Sequence, residues 1–142
     1  MEEQEYRDTY NTVNERRCVF EKTINSRRCS CRKSMRFHLA DREGITCKSP
    51  SGNVLCIELL NTMRSNARFA LHLTSADAPL PHAKEIKVQT GGLLGLQGLL
   101  HPEMAEATNI DNVIELKDLA MQKIGRVQDR PYTVIVQAIV RL

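Results

Sequence analysis

Apolar residues recur at spacings of three and four between Gly52 and Leu71, with Leu55, Leu59 and Met63 in one row and Cys56, Leu60, Met63 and Ala67 in the next. That period is one face of an α-helix and predicts the strongest helix of the chain. Ser49-Pro50-Ser51-Gly52 ahead of it reads as a loop carrying capping residues. A further helix is predicted from about Asn109 to Ile124. Asn109 or Asp111 can cap it, Val113, Leu116, Ala120 and Ile124 face inward, and Gly125 ends it. Leu93 to Leu100, leucines with close-spaced glycines, reads as a tightly packed helix punctuated by Pro102. Pro131 to Leu142 fits either a strand or a helix period, and Asp129 ahead of Pro131 resembles a helix start, which tips the reading to helix.

Elsewhere the pattern is weaker. Tyr10, Val13, Val19, Phe20 and Ile24 suit an amphipathic helix from about Tyr10 to Thr23, after a polar and loosely helical first dozen residues. Ala40 to Gly44 reads as a helix end or turn, with Gly44 as its left-handed residue. Thr74 to Pro81 reads as a loop, and Glu85 to Thr90 alternates well enough for a short strand with Ile86 and Val88 on one face. Together these predict a mostly α fold, a small compact helical domain with at most a short strand element. One domain over 1–142 is expected, with a cysteine-rich N-terminal segment (about 16–47) packed on a helical scaffold (about 52–142).

At 142 residues such a domain buries about two-thirds of its unfolded surface and does not need a metal simply to fold. No apolar run approaches the roughly 20 residues of a membrane span. Glu2-Glu3-Gln4-Glu5 is the opposite of a secretory leader, so a cytoplasmic protein with reduced or metal-bound cysteines is expected. Five cysteines, an odd number, also suit a disulfide framework poorly.

What changes the picture is where those cysteines sit. Cys18, Cys29, Cys31 and Cys47 fall in the most basic part of the chain. Between Arg16 and Arg36 stand eight Lys or Arg (Arg16, Arg17, Lys22, Arg27, Arg28, Arg32, Lys33, Arg36) against one acid, Glu21, a local charge of +7 in a chain of +3 overall. Nearby cations favour the thiolate, the form that binds metals, and offset the negative charge of a four-thiolate site. The spacing is neither the paired C-x2-C of strong zinc motifs nor that of the common ferredoxins.

The expected ligands, for a cofactor and for its metal alike, are Cys18, Cys29, Cys31 and Cys47. Cys29-Ser30-Cys31 is a tight loop, and Cys47 lies beside another. If Cys18 and Cys29 share a site, the first helix must break between them, since eleven helical residues rise about 16 Å. Asn25-Ser26 is the expected break. Cys56, inside an apolar stripe, reads as a core residue and only as a substitute ligand. His38 and His82 read as surface histidines. Val88-Gln89-Thr90-Gly91-Gly92 has the look of a corner that could cradle phosphate, but glycines for a turn and close helix packing are the preferred reading.

Two functions follow. The first is an iron–sulfur protein acting in electron transfer or redox sensing as an accessory subunit of a larger protein partner, with Arg16, Arg17, Arg27, Arg28 and Arg32 serving the site and that partner. The alternative is a zinc-stabilised module whose basic face contacts nucleic acid or an acidic protein. Nucleic acid is not favoured, because no Trp, three Tyr and three Phe leave little to stack on bases. An enzyme using Cys29 and Cys31 as a redox dithiol is weaker still, since no thioredoxin-like pattern surrounds the pair, and no hydrolytic constellation is present.

Overall fold

In the computed structural model, residues 2–72 and 80–142 are described. The fold is mostly α, a small helical domain with a single two-stranded sheet among the described residues. Helix α1 (Glu3–Val13) and the short α2 (Glu21–Asn25) precede a hairpin of β1 (Ser34–Leu39) and β2 (Arg42–Cys47). Helix α3 (Pro50–Ala67) crosses to the C-terminal half, made of α4 (His82–Ile86), α5 (Gly92–Leu100), α6 (Val113–Ile124) and α7 (Tyr132–Arg141). The loop expected over Thr74 to Pro81 lies, as far as Pro79, outside the described residues.

The scaffold follows the apolar pattern. Ser49 caps α3 by accepting a hydrogen bond from the Gly52 N–H at 3.0 Å, Pro50 occupies the first turn, and Leu59, Leu60, Met63 and Ala67 are buried. Gly125 ends α6 at φ +84°, and Pro131 leads into α7, whose Tyr132, Ile135 and Ile139 are buried. The strand expected at Glu85 to Thr90 is instead helical. Helix α4 passes through a π-helical turn (Lys87–Gly91) directly into α5, with Val88, Gln89, Thr90 and Gly91 all buried. Gly91 and Gly92 therefore form no phosphate-cradling corner. A Cβ on Gly91 would stand 2.6 Å from the Ile139 Cα, and one on Gly95 3.1 Å from the Ile135 Cα, so these glycines let α7 lie against the π-turn and α5.

The N-terminal third departs further from its pattern. The helix expected over Tyr10 to Thr23 is two pieces separated at Asn14. There the Asn14 side-chain amide donates to the Ile45 carbonyl at 3.0 Å and to the Tyr10 hydroxyl at 2.9 Å, turning the chain into an extended run. Arg17 then forms an antiparallel bridge with Thr46 of β2. Helix α2 ends beside Ser26, where a break was expected. The hairpin itself was not anticipated. Its left-handed residue is Ala40 (φ +56°), while Gly44 lies within β2 opposite Phe37, whose ring fills the place of a Cβ.

Buried polar groups tie the two halves together. Glu21, nearly inaccessible, accepts hydrogen bonds from the Tyr10 hydroxyl, from Arg17 at 2.8 Å and from the Ile45 N–H at 2.7 Å, joining α1, α2 and the hairpin. Burial first, then this carboxylate, raises the Tyr10 hydroxyl pKa well above its ordinary value. Thr23 of α2 meets the Gln89 side-chain carbonyl at 3.3 Å and the Thr90 hydroxyl at 3.0 Å, Gln89 donates to Glu85 at 2.7 Å, and Arg64 of α3 closes the chain of contacts on Glu85. The site-bearing segment is thus anchored to the π-turn.

Candidate metal centre

Five separate backbone segments, four of them carrying a cysteine, converge on one small cavity of about 20 Å³, space for little more than one water. Cys18, Cys31, Cys47 and Cys56 all line it, with Phe20, Lys33, Asn53 and Ile114 among the other walls. All five cysteines of the chain are free thiols.

The backbone explains the convergence. The Cys18 N–H donates to the Ile45 carbonyl at 3.0 Å and the Cys47 N–H to the Arg16 carbonyl at 2.8 Å, so an improvised third strand sets Cys18 beside the end of β2. The Lys48 N–H donates to the Lys33 carbonyl at 2.7 Å, bringing the start of β1 to the same edge. Cys31 sits in the turn just before it, its carbonyl accepting from the Ser34 N–H at 3.1 Å and hydroxyl at 2.6 Å. That turn is pinned to the scaffold by Arg32, whose N–H donates to the Asn112 side chain at 3.1 Å. Cys56 arrives on α3, one turn after the buried Gly52 and one before Leu59 and Leu60, where the inner stripe of the helix reaches the cavity.

Burial and proximity both bear on the ionisation of these thiols. Burial pushes the Cys18 thiol up to about 12; a backbone hydrogen bond from Phe20 works against it, and Cys56, Cys31 and Cys47 each add a smaller increase. Cys56 is pushed up to about 11 by burial, opposed by the nearby ammonium of Lys117 and raised slightly by Cys31 and Cys47. As neutral thiols they form an apolar-walled pocket; as thiolates they form a concentrated negative site that needs a cation.

Cys29 stands apart. It is buried, bridges through its backbone to Ile110, and lines a different cavity with Ile24, Arg27, Arg28 and Ile45. Its thiol is pushed up to about 12 by burial, with Cys31 adding to the rise. Cys29 and Cys56 have therefore exchanged the places the sequence suggested for them: Cys56 is on the shared cavity and Cys29 is with the core. His38 lies on β1 at 3.4 Å from Glu43, and His82 opens α4; neither lines the thiol cavity.

The basic residues each make a contact within the fold, while Arg17, Arg27 and Arg32 stay largely exposed. Arg16 donates to the Cys47 carbonyl at 3.2 Å and Arg17 pairs with Glu21. Arg27 reaches Glu43 at 3.3 Å, Arg28 the Thr108 carbonyl at 2.8 Å, and Arg32 Glu115 at 3.1 Å. Lys117 is the residue the sequence concealed. It falls on the inward row of α6 with Val113 and Ala120, a position where a lysine is out of pattern.

Thiols are the ligand type that zinc and iron–sulfur centres take, but the cavity has space for little more than one water and does not, as it stands, fit either group. Among the described residues no three His, Cys, Asp or Glu side chains are arranged around a point that would hold one metal ion. No helix among the described residues is long and apolar enough to cross a membrane. No family model matches the chain, and neither does any curated protein or solved structure.

Proposed function

We propose that the chain is a small iron–sulfur protein acting in electron transfer or redox sensing, with Cys18, Cys31, Cys47 and Cys56 as its ligands. The observation that carries this reading is the arrival of four single thiols, from an extended strand, a turn, a hairpin end and a helix, on the walls of one cavity. Ordinary core cysteines have no reason to gather from four segments. A lone zinc would draw its four sulfurs to within about 4 Å of one another, commonly from paired knuckles, whereas a cluster spreads them over several irons.

When bound, a cluster supplies one-electron chemistry. The chain's own part is to hold the four sulfurs, exclude bulk water behind Phe20, Val19 and Ile114, and shape the surrounding charge. Five free thiols suit a reducing, cytoplasmic setting. A larger acidic partner would meet the basic face of this segment, where Arg17, Arg27 and Arg32 stay largely exposed despite their ion pairs and Lys33 stands at the cavity's edge.

The test is anaerobic purification followed by iron, sulfide and zinc analysis with a visible absorption spectrum. Brown protein with matched iron and sulfide is the expected result. Colourless protein with one zinc per chain would move the reading to a zinc-stabilised module, and a folded chain that takes up neither metal would overturn both.

A further inference from the structure

Helix α2 closes on a residue that backbone preference does not favour there. Arg27 follows Ser26 with φ +64°, the left-handed conformation that glycine or asparagine ordinarily supplies after a helix. The turn does not need its side chain: the Arg27 N–H donates to the Ile24 carbonyl at 3.0 Å and the Arg28 N–H to the Thr23 carbonyl at 3.2 Å. A residue held against its backbone preference points to a use for that side chain. The guanidinium groups of Arg27, Arg28 and Arg36 line one open cleft of about 450 Å³, which shares only Ile24 and Ser34 with the thiol cavity. Buried Ile24, Ile45 and Ile110 close its floor.

Each of the three guanidinium groups is fixed, and each keeps donors free. Arg28 donates through Nε to the Thr108 carbonyl at 2.8 Å, and among the described residues its two terminal nitrogens have no hydrogen-bond partner. Arg27 uses one terminal nitrogen on Glu43 at 3.3 Å, and Arg36 uses one on Glu43 and Asn25, each at 2.7 Å. One carboxylate thus serves two guanidinium groups. With Asp111, the carboxylate on the lining itself, these five groups carry a net charge of 3 − 2 = +1. We infer that this cleft binds the phosphate group of a small phosphorylated ligand. A guanidinium fork matches a pair of phosphate oxygens, and a phosphate monoester presents three oxygens and about two negative charges to the three forks. A lone carboxylate, with two oxygens and one charge, would add only what Glu43 already supplies. The volume lies within the range of small-molecule sites, about 300–1,000 Å³. The inference goes beyond the metal reading and does not depend on it.

The experiment titrates the full chain with inorganic phosphate and with adenosine monophosphate at about 0.15 M salt, beside acetate and a short RNA duplex. It needs no metal on the chain, so its outcome is separate from that of the iron analysis. Arg27→Gly removes a guanidinium and leaves a residue that suits the left-handed turn, so that variant should keep native helicity and at least the native urea midpoint. Arg28→Gln removes the guanidinium with free terminal nitrogens. The expected result is one phosphate or one adenosine monophosphate bound per native chain, affinity weakened about tenfold or more in each variant, and no binding of acetate. A native chain that binds neither phosphate probe would overturn the inference, as would acetate bound equally well. RNA bound without either small probe would overturn it in favour of a nucleic-acid surface. Native affinity in a folded Arg27→Gly would also overturn it, even if Arg28→Gln fails to fold.

Discussion

The two halves of the molecule are held together by different physics. From α3 onward, helices pack through an apolar core so close that Gly91 and Gly95 admit α7 against the π-turn and α5. Between Glu15 and Cys47 the elements are short; Phe20, Ile24 and Ile45 anchor them in the same apolar core, and specific polar contacts do much of the rest: Glu21 on Ile45, Asn14 on Ile45, Arg16 and Cys47 across the improvised strand, Arg32 on Asn112. Packing of the first kind supports itself. The second kind surrounds a cavity lined with thiols and, in our account, is completed when those thiols are bound to a metal.

This difference is first broken or sharpened by Cys31→Ser. It should abolish cluster loading and increase hydrogen exchange throughout residues 16–56, while the amides of α5 and α7 stay protected. Uniform loss of protection over both halves would mean that the two are one cooperative unit.

Within the scaffold, Gly91→Ala should lower stability by about 3 kcal/mol, because the added methyl meets the backbone of α7 at 2.6 Å. Gly98→Ala, with nothing nearer than the Ala105 Cα at 4.0 Å, should raise it by about 0.5–1 kcal/mol. Urea midpoints of the two variants measure both, and neither change should affect metal content.

In the thiol half, Glu21→Gln should cost about 2 kcal/mol, since one buried carboxylate serves a hydroxyl, a guanidinium and a backbone N–H. Thermal unfolding should show that cost in both the metal-free and loaded forms.

The smallest effect concerns a buried cation of the scaffold. Arg130, on the scaffold side, is 5% exposed, and its two terminal guanidinium nitrogens have no hydrogen-bond partner among the described residues; only its Nε is used, on the Gly125 carbonyl at 3.2 Å. Arg130→Met should therefore be neutral or stabilise by about 1 kcal/mol, with metal retention unchanged.

Much of the scaffold was legible because its apolar rows are long enough to have one period. The α3 stripe, the end of α6 at Gly125 and the helical C-terminus all followed from spacing and caps. Glu85 to Thr90 misled because in a π-turn buried on several sides, Gln89 and Thr90 face inward with Val88, so polar residues no longer mark the solvent side. The hairpin was hidden by a turn built on Ala40 in place of the glycine or asparagine that usually signals one.

The cysteines were legible as a density, but which of them share a cavity was not. Cys56 looked like core because it continues the row of Leu60, Met63 and Ala67, and that row does lead into the core. What local spacing does not reveal is that the N-terminal end of the row emerges at the thiol cavity. Cys29 looked like a ligand because it pairs with Cys31 in a tight loop. In an extended run neighbours two apart face the same way, but the bridge of Cys29 to Ile110 and the turn at Cys31 separate the two thiols between cavities. Both outcomes depend on contacts more than 15 residues distant in sequence, such as Arg17 with Thr46.

The most direct measurement is iron and sulfide content in Cys29→Ser and Cys56→Ser, purified anaerobically beside the native chain. The account predicts a native complement and visible spectrum in Cys29→Ser and loss of both in Cys56→Ser, with each variant folded by circular dichroism. A loaded Cys56→Ser beside a colourless Cys29→Ser would contradict it.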